Sequence, residues 1–152
     1  MRLTAYTDFT LRTLMYLAAN PGRVATIAEI ARAYGISEAH LMKVVHQLGI
    51  GGEVETTRGR NGGLHLRKPP NSINLGAVVR RTEADMELVP CFADPAGCAI
   101  GNACVLQSAL HEALDAFCSV LDRFTLADLV RPGDATARLL RAAPDRIAAA
   151  GA

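Results

Sequence analysis

Apolar residues recur over the first 20 positions at helical spacing, with Leu3, Thr7, Leu11, Leu14 and Ala18 on one face. Asp8 and Arg12 share another face, and Pro21-Gly22 ends the segment. A second helix is predicted to open at Thr26-Ile-Ala-Glu29. This is a capping box, in which the threonine hydroxyl and the glutamate carboxylate each satisfy an N–H left free in the first turn. Its apolar positions are Ile27, Ile30, Ala31 and Tyr34, and Gly35 stops it. Ser37 is placed to cap a third helix with the apolar face Leu41, Val44, Val45 and Leu48. Two short helices joined through Tyr34-Gly35-Ile36-Ser37 make a helix-turn-helix pattern.

The period changes after the glycines at 49, 51 and 52. Glu53 to Thr57 and Leu64-His65-Leu66-Arg67 read as two short strands, separated by Arg58-Gly-Arg-Asn-Gly-Gly63, a loop able to take positive φ. That is the wing of a winged helix, and Leu75 to Thr82 reads as one further helix. From Glu83 to Gly101 prolines and glycines break all periodicity. Then Ala103, Leu106, Leu110, Ala113, Phe117, Val120 and Phe124 recur alternately three and four apart, an a/d seam of about 33 Å. Leu114 and Leu121 widen it. The seam could pack on its own domain, but the small unit before it offers little surface to cover it, so a homodimer interface is expected. The expected fold is mainly α, a winged helix-turn-helix domain with a long C-terminal dimerisation helix. Its divisions are a DNA-binding domain over 1–82 with the wing at 53–68, a loop over 83–101, the dimerisation helix and a short helix over 102–130, and an Ala-rich tail over 131–152.

Composition sharpens this picture. The chain has 152 residues, half of them hydrophobic, enough for a packed core. No apolar run approaches the roughly 18 residues that span a bilayer, and the N-terminus lacks the apolar region of a signal peptide, so a cytoplasmic location and no membrane partner are expected. Net charge is only +1, which by itself argues against an anionic partner. Divided along the chain, it does not. Residues 1–70 carry nine Lys or Arg against five acids, residues 71–152 seven against ten, and from Thr56 to Lys68 there is no acid at all.

A recognition helix sets its N-terminal side chains against base edges in the major groove. On the third helix those are Ser37, His40 and Lys43. On the wing, Arg58, Arg60 and Asn61 can reach phosphates or the minor groove, and glycines such as Gly62 let the backbone come close. Polar residues on a helix are often just a solvated face, and His40 and His46 taken singly read that way as readily as base contacts. Double-stranded DNA is nevertheless the expected partner, because the helix pair comes with an acid-free basic wing. No substrate-pocket motif, nucleotide loop or Ser/His/Asp set marks an enzyme.

The remaining chemistry lies in Cys91, Cys98 and Cys104. Their gaps match neither the paired spacing of most zinc sites nor that of bacterial ferredoxins. Three thiolates on one loop, with Cys104 at a helix N-terminus that favours the thiolate, leave a fourth ligand open, which suits an iron-sulfur cluster with a labile ligand. Structural zinc and electron transfer are the alternatives. Cys118 lies 14 residues along the long helix from Cys104, beside Phe117, and reads as core.

Leu3-Thr-x-x-Thr-Asp8, the wing Arg58 to Gly63, the three-cysteine loop and Thr125-Leu-Ala-Asp-Leu-Val130 together resemble the iron-sulfur winged-helix repressors that include NsrR and IscR, the NsrR-like members most. The resemblance covers residues 1 to about 130. It implies a homodimer on palindromic DNA that senses nitric oxide, with a cluster, 4Fe-4S in preference to 2Fe-2S, near the dimer interface. It assigns the ligands to Cys91, Cys98 and Cys104, with Asp8 of the partner subunit as the fourth. Asp8 and Arg12 at i, i+4 also make an ordinary helix ion pair. IscR-like members instead use a His three residues after the third cysteine. Gln107 stands there, and the first cysteine gap is one residue longer than the NsrR-like pattern. A redox or iron-sulfur-status sensor of the same fold is the alternative the resemblance leaves.

Overall fold

A computed structural model describes residues 2–59, 62–94, 98, 100 and 103–141. The first helix, α1, spans Ala5–Ala19, and Thr4 caps it by accepting from the Thr7 N–H. Leu3 therefore lies before the helix, although the apolar spacing includes it. Thr7, Leu14 and Ala18 of the predicted face are buried, joined by Thr10, Thr13, Tyr16 and Leu17. The buried threonines are tolerated because Thr10 and Thr13 return their hydroxyls to the carbonyls of Tyr6 and Phe9 at 2.8 and 2.7 Å.

The helix-turn-helix pair is α2, Ile27–Tyr34, and α3, Glu38–Ile50. Gly35 closes α2 at φ +65°, a left-handed conformation that places the turn into α3. Only half of the predicted capping box forms. Thr26 accepts from the Glu29 N–H at 3.1 Å, while the Glu29 carboxylate turns to Tyr16 and Arg23. Ser37 stands at the N-cap of α3 without a side-chain cap bond, and its carbonyl takes the His40 and Leu41 N–H groups. A full capping box occurs instead at Thr125 and Asp128.

The wing strands β1, Val54–Thr57, and β2, Gly63–Leu66, pair antiparallel with Val54 opposite Leu66. Ala25 and Leu64 exchange backbone hydrogen bonds at 2.9 and 2.7 Å, which ties the wing to the turn before α2. The predicted fourth helix, α4, spans Leu75–Thr82. One core unites Leu14, Leu17, Ile30, Leu41, Val44, Leu48, Val54, Leu64, Val78 and Leu126. Each such aliphatic side chain contributes about 1.5–3 kcal/mol relative to exposure.

The long helix α5 spans Val105–Asp122, and not one of its residues is buried. It packs on α4, while Leu106, Val120 and, just beyond its end, Phe124 remain 65, 44 and 40 % exposed. Cys118 is half-buried on this helix, so it is no core residue within the chain. The short α6, Leu126–Leu129, returns to the core through Leu126. Residues 135–141 are helical, and Arg141 donates to the Ala19 carbonyl at 2.8 Å, so the start of the tail docks on α1. Among the described residues no helix is long and apolar enough to cross a membrane.

Candidate nucleic-acid interface and cysteine loop

The four apolar anchors of α3 face inward, which turns Ser37, Glu38, His40, Lys43, His46 and Gln47 outward. Lys43 and Arg58 are exposed and have no ion-pair partner among the described residues, so both charges are free for phosphate or base. His40 differs, since its ring lies 6.1 Å from that of Phe9 and braces α3 on α1. Arg60 and Asn61 lie outside the described residues. Gly62 follows at the wing's return, where its N–H reaches the Gly59 carbonyl at 2.9 Å. A Cβ on Gly62 would collide with the Thr57 carbonyl, so the tight return requires glycine.

Two features of this face escaped the sequence reading. Met42 is 55 % exposed on α3, off the apolar face. Its signal was an apolar residue out of register with Leu41 and Val44. Arg67 lines a cleft between the end of α3 and β1 with His46, Ile50 and Thr56, and only the fold brings those together.

The helix-turn-helix pair is locked from beneath. Tyr16, fully buried, donates to Glu29, which also pairs with Arg23. Burial, then the Glu29 contact, pushes the Tyr16 phenol well above its ordinary value. Burial also tends to raise Glu29, but the Arg23 and Tyr16 hydrogen bonds outweigh it and hold the carboxylate low. Asp8 pairs with Arg12 at 2.9 Å, and the Arg12 guanidinium lies 5.6 Å from the centre of the Tyr34 ring at the helix-turn-helix corner. Burial pushes Tyr34 up to about 12.

Cys91 sits in a one-turn 3-10 segment, Pro90–Phe92, and Cys104 is the N-cap of α5. Cys91, Cys98 and Cys104 are all free and half-buried. The single chain does not draw them, or Asp8, into one cluster: among the described residues no three His, Cys, Asp or Glu side chains are grouped to hold a metal ion. Gln107 donates to the Cys91 carbonyl at 3.0 Å, and His111 stacks on Phe92 with centroids 3.7 Å apart. The amide that stands in the IscR-like ligand position thus pins the loop to α5.

A family model described as Rrf2, iron-dependent transcriptional regulator, matches residues 3–132. The chain belongs to the Rrf2 family. It is 49 % identical over 143 residues to the HTH-type transcriptional regulator NsrR of Bacillus subtilis (strain 168), covering 93 % of this chain and 98 % of that protein. CymR, the global cysteine regulator of B. subtilis, shares the structure with a TM-score of 0.71 and 27 % identity over 88 % of this chain and 99 % of that one. The T. potens IscR superposes with a TM-score of 0.70 over 88 % of this chain and 89 % of that one, and at 23 % identity it shows the fold alone. The winged helix of the Rrf2 family is therefore the fold here, as the helix-turn-helix and wing patterns led us to expect. Its relatives are named as transcriptional regulators rather than enzymes, and a transcriptional regulator works on DNA.

Proposed function

We propose that this chain is a cytoplasmic nitric-oxide-sensing repressor that binds a palindromic operator as a homodimer. An iron-sulfur cluster, 4Fe-4S in preference to 2Fe-2S, would be held by Cys91, Cys98 and Cys104 with Asp8 of the partner subunit. The observation that carries this reading is α5, an 18-residue helix with no buried residue and a free cysteine at its N-cap. A second copy of the chain would cover the seam and close the cysteine site at once. The similarity to NsrR regulators over 93 % of the chain supports the same reading.

The donor set fits such a group in kind. Three half-buried thiols in no disulfide are soft ligands suited to iron. When bound, the cluster supplies the reactivity toward nitric oxide. The chain's own residues supply the response. Asp8 in the first turn of α1 is engaged with Arg12, and Arg12 lies over Tyr34 beside the turn into α3. A carboxylate drawn toward the partner's loop, or released from it, changes what holds Arg12 against that corner. Because a dimer reads half-sites about 34 Å apart, a small change of pose costs affinity at both. Ser37, His40 and Lys43 would meet the major groove, and Arg58, Arg60, Asn61 and the Gly62 backbone the flanking phosphates or minor groove.

The test is a gel shift with anaerobically loaded protein on its operator. Nitric oxide should abolish the shift, and a shift that persists sinks the sensor reading. An ultraviolet-visible spectrum of the same sample separates iron-sulfur from zinc. An IscR-like sensor would need a ligand from position 107, where the Gln107 amide is committed to the Cys91 carbonyl.

A further inference from the structure

We propose that α4 is a strut that positions the wing, with Arg81 acting through Glu53 and Arg80 acting through Asp122 of α5. Its regulatory meaning rests on the sensor reading above; its mechanical content does not. Adjacent residues on a helix point about 100° apart, and these two arginines reach opposite neighbours. Arg80 grips the Asp122 carboxylate with both guanidinium nitrogens, at 3.0 and 2.6 Å. Arg81 pairs with the Glu53 carboxylate at the base of the wing.

Glu53 is the junction that holds the base of the wing, beside the Ala25–Leu64 backbone pair. It is 4 % exposed. Its N–H donates to the Leu48 carbonyl of α3 at 3.1 Å, and its carbonyl accepts from the Arg67 N–H beyond β2 at 2.8 Å. A buried carboxylate needs charge compensation. Lys68 stands at 3.9 Å and spends its own hydrogen bond on the Gly51 carbonyl, and Oε2 of Glu53 has no hydrogen-bond partner among the described residues. The close pairing therefore comes from Arg81.

Both carboxylates sit close against a glycine. A Cβ on Gly76 of α4 would collide with the Asp122 carboxylate, and one on Gly51 with that of Glu53. The strut is also fixed at its ends. Asn74 donates through Nδ2 to the carbonyls of Asp122 and Phe124 at 2.7 and 3.3 Å, and the Leu75 N–H donates to Phe124 at 3.0 Å. At the other end the Thr7 hydroxyl donates to the buried Thr82 hydroxyl at 2.8 Å, and the Thr4 N–H to Glu83 at 2.9 Å. A shift of the far end of α5 thus reaches the wing base, and the start of α1 that carries Asp8, through one eight-residue helix.

Hydrogen exchange of the full-length protein tests this. Arg81→Met should speed exchange of the paired wing amides over 54–66 by about tenfold or more, since it leaves Glu53 without its close cation. Asp122→Asn should speed the same amides by about two- to fivefold, the scale of an exposed pair. Exchanging the charges of the outer pair, Arg80→Asp with Asp122→Arg, should restore the wild-type rate. Wing rates within twofold of wild type in both single variants would overturn the strut. So would an equal acceleration in α2 and α3, which would mean general destabilisation. A second arm measures affinity for a duplex that the protein itself selects from a random-sequence pool. If wild type ignores nitric oxide there, the sensor reading fails, and the exchange data alone decide the strut. If wild type responds and Asp122→Asn responds by the same factor, regulation through α4 is overturned.

Discussion

The helices α3 and α5 carry the same kind of apolar stripe and meet opposite fates. In α3, Leu41, Val44, Val45 and Leu48 are all buried, because α1, α2 and β1 close around 13 residues. In α5, 18 residues with a longer stripe bury nothing, because α4 covers only one side. A stripe predicts that a helix has an apolar side, but what covers that side depends on how much protein lies within reach. The polar faces differ as well. The face of α3 holds Lys43 with no ion-pair partner among the described residues, whereas Asp122 of α5 is already committed to Arg80.

The sharpest break in this comparison is truncation of the two stripes. Leu48→Ala, at a 1 % exposed position, should cost about 2–5 kcal/mol in denaturant unfolding. Leu106→Ala, at 65 % exposure, should move monomer stability by less than about 0.5 kcal/mol. The same Leu106→Ala change should raise the dimer dissociation constant measured by sedimentation. No change there would mean that the seam is not the dimer contact.

Beneath α2 and α3, Glu29→Gln should cost about 1–3 kcal/mol at neutral pH. The folded carboxylate is held below its ordinary 4.5, so its contribution is complete above that value and fades as pH falls through the lowered one. Tm against pH should therefore drop below about pH 4.5 in wild type and drop less steeply in Glu29→Gln. On the DNA face, Lys43→Ala should weaken operator binding by about 1–3 kcal/mol if it meets a base. Arg58→Ala should lower the slope of log affinity against log salt by about 1, with little change of sequence preference. Asp8→Ala should be the smallest effect on stability, a few tenths of a kcal/mol from an exposed i, i+4 pair, read by thermal melting of cluster-free protein. In the loaded protein it should change the cluster spectrum, and an unchanged spectrum would point to another fourth ligand.

Local chemistry was legible where the deciding neighbours lie within a few residues. Thr26, Gly35 and Pro21 set helix ends on their own, and the glycines of the wing return mark a turn only they can make. The reading of Cys118 as core went astray because burial depends on distant partners, whereas Ser37 takes the N-cap position as read but makes no side-chain bond there. Nothing in the order Glu53, Arg80, Arg81, Asp122 indicates that one helix joins all four, since the residues they link lie 28 and 42 positions apart.

The sequence by itself determined the helix-turn-helix, the wing, the acid-free basic stretch and the three-thiol set, because periodicity, capping and composition are properties of neighbours along the chain. The tertiary structure alone decided that Glu29 serves Tyr16 and Arg23 rather than its own N-cap, that Gln107 pins the cysteine loop, and that no residue of α5 is fully buried. Burial and charge pairing depend on which surfaces run out of partners, and that balance is struck only when the whole chain has packed.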